Sequence, residues 1–129
     1  MVHFILYVRD QAKSTVFYEA VLGTPPRLNA PGMTEFLVGE GAVLGLMPEA
    51  GIKRLLGDAL PDPATGAGTP RCEVYLVVPD KVAHHDRALR AGALELSPVS
   101  LRGWDHDVGY SLDPDGHVLA FAMDPAANA

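Results

Sequence analysis

The chain repeats itself at an offset of 70 residues, from Val2 to Cys72. The first copy opens Val2-His3-Phe4-Ile5-Leu6-Tyr7-Val8-Arg9-Asp10. The second opens Cys72-Glu73-Val74-Tyr75-Leu76-Val77-Val78-Pro79-Asp80. Each is an apolar run ending in Asp, followed by a helical pattern and then a glycine, Gly23 or Gly92. Internal repetition constrains architecture more than any local signal does. A unit this long, present only twice, is not a solenoid. It predicts a pseudo-twofold arrangement of two like modules, whose seam is a natural place for a pocket.

Within the first run, Val2, Phe4, Leu6 and Val8 alternate with His3, Ile5, Tyr7 and Arg9. A period of two predicts a strand with one dry face and one mixed face. The second run agrees, with Cys72, Val74, Leu76 and Val78 dry and Glu73, Tyr75 and Val77 mixed. By repeat, His3 corresponds to Glu73, Ile5 to Tyr75 and Tyr7 to Val77. Asp10 is a predicted N-cap, and Ala12, Val16, Phe17, Ala20 and Val21 then recur at helical spacing. Gly23 ends that helix and Pro25-Pro26 forbid its return. Asp80 caps the second helix, which has Val82 and Leu89 on its apolar side and Gly92 at its close.

Short strands follow each helix. In the first half they are expected near 26–30, 33–39 and 41–48, broken at Pro31-Gly32 and Gly39-Glu40-Gly41. In the second half they are expected near 93–99, 107–112 and 117–123, the last break being the turn Asp113-Pro114-Asp115-Gly116. The module is therefore βαβββ, twice. Module one covers about 1–48 and module two about 71–124, and the two form a single domain over 1–129. The segment 49–70 has no counterpart in the repeat. Its Gly51–Gly57 part predicts a short amphipathic helix, and its Pro61–Pro70 part reads as linker rather than as a flap. The end, 125–129, reads as a frayed tail.

A chain of 129 residues with 48% hydrophobic content can bury a real core. Its net charge of −6 opposes nucleic acid as a partner, which calls for a basic stripe. The single cysteine, Cys72, cannot form an intrachain disulfide, and its place in an apolar strand predicts an inert thiol in a reducing cytoplasm. No basic region followed by an apolar core opens the chain, and no apolar run approaches the roughly 18–20 residues of a membrane helix. A cytoplasmic protein without a membrane partner is expected.

Tyr7-Val8-Arg9-Asp10, then Phe17-Tyr18, then Val21-Leu22-Gly23 resembles the first module of the vicinal oxygen chelate superfamily. This group includes glyoxalase I, fosfomycin-resistance enzymes, extradiol dioxygenases and bleomycin-binding resistance proteins. The closing Gly109-Tyr110-Ser111-Leu112-Asp113-Pro114-Asp115-Gly116-His117 resembles its last hairpin. The likeness spans nearly the whole chain and identifies fold better than reaction. It implies an α+β fold of two pseudo-symmetric βαβββ modules, forming a curved mixed sheet whose concave face holds the ligand. Homodimers are common at this length.

The resemblance also implies a divalent metal held by His, Gln and Glu, which would polarise two neighbouring substrate oxygens. The four ligand positions fall on His3, Gly45, Glu73 and Ala120 in this sequence. Two lack a donor side chain, so the expectation is no metal and no other cofactor, with His3 and Glu73 as the alternative pair of ligands. Small residues at Gly45 and Ala120 suggest a roomier, less polar pocket floor, which suits an organic guest.

His3 and Glu73 could also form a hydrogen-bonded pair, structural or acid–base. Tyr7, Tyr75 and Tyr110 are expected to present rings to the concavity, with Met47 beside them. Trp104 lies in Arg102-Gly103-Trp104-Asp105-His106-Asp107, which resembles the family's Pro-Trp-Gly hairpin beside the pocket. An indole there could stack on planar ligands. His106 is expected in solvent, and His84 and His85 do not share a helix face. The leading expectation is a small-molecule-binding protein that sequesters a drug or metabolite, its ligand pocket built from His3, Tyr7, Gly45, Met47, Glu73, Tyr75, Trp104, Tyr110 and Ala120. The rival is a metal-dependent glyoxalase-like lyase, isomerase or dioxygenase. A metal-free catalyst using His3 and Glu73 is a third.

Overall fold

The computed structural model describes residues 1–123. Residue 124 and the stretch 125–129, read above as a frayed tail, lie outside the described residues. The chain divides into two compact units, Met1–Ala67 and a second that begins at Gly68.

The first unit runs β1 (Val2–Val8), α1 (Gln11–Leu22), β2 (Leu28–Ala30), β3 (Met33–Gly39), β4 (Ala42–Pro48) and α2 (Glu49–Leu56), then two short 3-10 turns at Gly57–Ala59 and Pro63–Gly66. Its sheet has the order β1-β4-β3-β2, with β1 and β4 parallel and the other pairs antiparallel. The second unit runs β5 (Glu73–Val77), α3 (Lys81–Arg90), β6 (Leu94–Leu101), β7 (Asp107–Leu112) and β8 (Val118–Met123). Its order, β5-β8-β7-β6, repeats the first, with β5 and β8 parallel. The fold is α+β, built from two βαβββ modules that each form a mixed four-stranded sheet.

Local chemistry explains the boundaries. The Asp10 carboxylate accepts the Lys13 N–H at 3.0 Å, satisfying one of the orphan donors at the start of α1. Gly23 closes α1 in the left-handed region at φ 71°, where a side chain would clash. Asp80 likewise accepts the Ala83 N–H at 3.2 Å. α3 ends on Ala91 in right-handed geometry, and Gly92 follows at φ 110°. In the second module's last turn, the Asp113 carboxylate accepts the Asp115 and His117 N–H groups at 2.9 and 2.8 Å.

The buried stripe of α1 differs from the sequence expectation. Ala12, Val16 and Ala20 are exposed, while Ser14, Thr15, Phe17, Tyr18 and Val21 are buried. Polar residues can sit inside because their hydrogen bonds are met. Thr15 Oγ1 donates to the Gln11 carbonyl at 2.8 Å and lies 2.8 Å from Thr34 Oγ1 on β3. Around them Leu6, Val8, Phe36, Leu44 and Leu46 close the core. On β1 only Leu6 and Val8 are dry, whereas Val2 and Phe4 are exposed.

The inward face of α3 is also rotated from expectation. It buries His85 and Ala88, while Val82 is exposed. The His85 ring fits because Gly109 on β7 has no side chain. A Cβ there would stand 2.7 Å from His85 Nδ1. His85 Nε2 meets the Glu95 carboxylate at 2.9 Å. The His84 ring lies over Phe121, with centroids 5.5 Å apart.

Candidate functional site

Strand register decides which side chains share a face. In the second unit Tyr75 pairs with Ala120, Ala120 with Tyr110, and Tyr110 with Ser97. These four residues form one row across the sheet. The flanking rows are Glu73, Val118 and Leu112 on one side, and Val77, Ala122 and Val108 on the other. Tyr75 and Tyr110 lie packed over Val108, Ala120 and Ala122, all three fully buried.

The hairpin joining β6 and β7 brings polar groups to the same face. Its turn is closed by the Arg102 N–H donating to the His106 carbonyl at 2.9 Å and by the Asp105 N–H donating to the Arg102 carbonyl at 3.0 Å. Asp105 sits at φ 66°, a conformation Asp tolerates better than most residues. Trp104 Nε1 donates to Tyr75 Oη at 3.0 Å, and the same oxygen lies 2.6 Å from His106 Nδ1. Three rings are thereby tied through one phenol. The Arg102 guanidinium stands 4.9 Å from the centre of the Tyr110 ring. Its Nη2 donates to Ser97 Oγ at 2.7 Å, to the Val108 carbonyl at 2.8 Å and to the Pro98 carbonyl at 3.3 Å. Burial pushes the Tyr110 phenol above its ordinary pKa, the Glu73 and Tyr75 charges push the same way, and Arg102 opposes them. The phenol is a neutral donor at physiological pH.

In the first unit the corresponding face carries His3, Ile5 and Tyr7 opposite Val43, Gly45 and Met47. His3 Nδ1 lies 3.2 Å from Glu35 Oε2. The other oxygen of that carboxylate accepts Arg27 Nε and Nη2, both at 3.0 Å. Gly45 does not leave open space. A Cβ on it would stand 3.1 Å from Ile5 Cγ1 and 3.3 Å from Met33 Sδ.

Of the residues singled out from sequence, Glu73, Tyr75, Trp104, Tyr110 and Ala120 come together on the second unit's sheet. His3, Tyr7, Gly45 and Met47 share a face of the first. The expected roomy floor is corrected at both small residues. Ile5 and Met33 occupy the space at Gly45, and the two tyrosines cover Ala120. Small residues in a sheet are filled over by their neighbours' side chains when those are long enough. His106 is also corrected, because it is half-buried and bonded to Tyr75 rather than in solvent. Arg102, His106 and Glu35 were not anticipated as members of these faces. The available signal for the first two was their place on either side of the chain's only tryptophan.

Elsewhere in the second unit, His117 is buried with Nδ1 3.5 Å from Cys72 Sγ. Burial pushes the Cys72 thiol up, Asp113 adds to the shift and Arg71 opposes it, so the thiolate that reacts with oxidants is disfavoured. Among the described residues, no three or more His, Cys, Asp or Glu side chains converge as a metal cage. Among the described residues, no helix is long and apolar enough to cross a membrane.

Comparison with solved structures returns the same architecture. A glyoxalase-related enzyme from Fulvimarina pelagi superposes with a TM-score of 0.78 at 21% identity, over 97% of this chain and 88% of that one. A glyoxalase/bleomycin resistance protein/dioxygenase from Nocardioides gives 0.72 at 22%, over 95% and 81%. TioX from Micromonospora sp. ML1 gives 0.64 at 18%, over 95% and 96%. At these identities the likeness is one of fold. No curated protein matches significantly. The model of one family matches residues 1–121, nearly the whole described chain, and this protein belongs to it: the Glyoxalase/Bleomycin resistance protein/Dioxygenase superfamily.

Proposed function

We propose that this protein binds a small planar organic molecule on the Tyr75–Trp104–Tyr110 face of its second sheet, without a tightly held metal ion. One observation carries the reading. Trp104 is 55% exposed, yet it is not loose, because its indole N–H is tied to Tyr75 Oη. An exposed aromatic fixed in position is a prepared stacking surface. Tyr75 and Tyr110 extend it over a floor of Val108, Ala120 and Ala122. A mostly apolar surface with a few aimed polar groups is what small-molecule sites present.

The donor set supports the metal-free half of the reading. Of the four positions mapped from the family pattern, two offer no donor, and at Gly45 neighbouring side chains fill the space where one would begin. His3 is engaged with Glu35, whose carboxylate is shared with Arg27. An ion there would have to compete with a guanidinium for the Glu35 carboxylate. These residues do not fit the resident divalent cation that a metal-dependent lyase, isomerase or dioxygenase would need. A cytoplasmic homodimer belongs to the same reading. Val2 and Phe4 leave an exposed apolar edge on β1, and the one cysteine is a free thiol.

Trp104 is the only tryptophan, so its emission reports the site directly. Titration with planar aromatic compounds is expected to shift that emission saturably. Tyr75→Ala is expected to weaken binding about tenfold, the worth of one aromatic contact. His3→Ala should leave it unchanged. Metal analysis after purification with nickel, zinc, manganese and iron offered should find far less than one ion per chain. A stoichiometric ion lost in His3→Ala would overturn the reading.

A further inference from the structure

We infer that the ligand of this face carries an anionic group, such as a carboxylate, and that Arg102 recognises it. This deepens the proposed function and rests on it. Among the described residues, Arg27 and His3 meet the Glu35 carboxylate, Lys81 meets Asp107 and His85 meets Glu95. Arg102 meets no carboxylate among them. All three acceptors on its Nη2 are neutral oxygens, those of Ser97, Val108 and Pro98.

Among the described residues its buried Nε has no acceptor, and its bonds all run through Nη2, none through Nη1. A guanidinium carries five N–H donors and cannot discharge itself by losing a proton. Partly buried, it calls for a counter-charge.

Among the described residues no carboxylate meets it, and besides the neutral oxygens it has the Tyr110 ring, 4.9 Å from the guanidinium carbon. A ring face attracts a cation but does not neutralise it. Glu73, on the same face, is close enough to raise the Tyr110 phenol but forms no ion pair with Arg102. The three contacts on Nη2 hold the head in place, so a ligand anion would meet a fixed charge beside an aromatic floor. That arrangement selects a flat aromatic acid over its amide or its amine, because charge-assisted bonds to a guanidinium are the stronger kind. The protein's overall negative charge would favour cations at long range, and the local cation reverses that preference at contact.

The test uses three probes of one shape: 2-naphthoate, 2-naphthamide and 2-naphthylmethylammonium, each titrated against Trp104 emission. For the native protein, 2-naphthoate is expected to bind about tenfold tighter than 2-naphthamide, with the ammonium weakest. In Arg102→Gln the preference should collapse, with 2-naphthamide binding retained. Arg102 also ties β6 to β7, so circular dichroism checks that the variant is folded. If it is not, the probe series on the native protein still decides, together with the expected loss of 2-naphthoate affinity in added salt. Equal affinity for naphthoate and naphthamide, or a preference that survives Arg102→Gln, overturns the anion assignment while leaving the aromatic site standing. Silence from all three probes removes the site itself, and the anion with it.

Discussion

The two units place equivalent rows across equivalent sheets and fill them differently. In the first, the row is Ile5, Gly45, Glu35 and Leu28. In the second it is Tyr75, Ala120, Tyr110 and Ser97. Ile5 folds onto Gly45, and Glu35 is paired with the Arg27 guanidinium and lies against the His3 ring. That row is closed to a guest in both packing and charge. Tyr75 instead reaches over Ala120 to Trp104 and His106, and Tyr110 lies against a cation with no carboxylate partner among the described residues. One architecture thus yields a self-satisfied face and a face with unmet polar demand. Topology alone does not distinguish the two modules. The charge balance along the row does.

The largest effect that sharpens this contrast lies behind the second row. Gly109 precedes Tyr110, and a Cβ there would meet His85 Nδ1 at 2.7 Å and Val99 Cγ2 at 2.9 Å. His85 is held by Glu95 and by burial, so neither neighbour can retreat cheaply. Gly109→Ala is expected to cost about 2–3 kcal/mol in urea denaturation, the range for overpacking a filled core. The same experiment should show weakened ligand binding, because Tyr110 is the next residue along the strand. A variant as stable as the native protein would mean that α3 does not brace this face.

An intermediate effect comes from exchanging the two small residues. Gly45→Ala brings the first row to the composition of the second, but its methyl would sit 3.1 Å from Ile5 Cγ1. Met33 Sδ, at 3.3 Å, can swing away on a flexible chain, whereas β-branched Ile5 cannot. A loss of about 1 kcal/mol is expected. Ala120→Gly should also cost about 1 kcal/mol, from the lost methyl under the tyrosines and the freedom of an extra glycine in the unfolded chain. Only Ala120→Gly should alter the Trp104 titration. If Gly45→Ala alters it as well, the division of labour between the rows is wrong.

Much of this was legible in the sequence, and the reason is range. Caps at Asp10 and Asp80, the turn at Asp113–Gly116, and strands at 33–39 and 107–112 depend on residues a few positions apart, so pattern alone reveals them. Module order followed from the repeat. What stayed hidden depends on pairings between distant strands. Arg102 reaches Ser97 across a stretch where the register of β6 against β7 shifts, between Ser97 and Ser100. His3 finds Glu35 two strands away on β3, a pairing its own strand does not announce. The buried stripe of α1 was misread because Thr15 looks like a surface residue until its hydroxyl is placed against Thr34. Apolar periodicity records what is greasy, and it is silent about polar groups that are buried because they are bonded.

The smallest expected effect concerns the ion network of the first row. Arg27 is partly exposed, its partner Glu35 keeps His3 as a second neighbour, and water can replace the lost guanidinium. Arg27→Gln should therefore change the stability by less than about 0.5 kcal/mol, as exposed ion pairs do, and the change should shrink further in high salt. It should leave the affinity for 2-naphthoate untouched, because its charge is spent within its own unit. Arg102→Gln makes the same chemical change on the other sheet and is expected to abolish the preference for the acid. Measured side by side, the pair asks whether a cation matters by its presence or by its lack of a partner. Equal effects on binding from both variants would show that only net charge is felt, and the contrast between the two rows would then have no functional meaning.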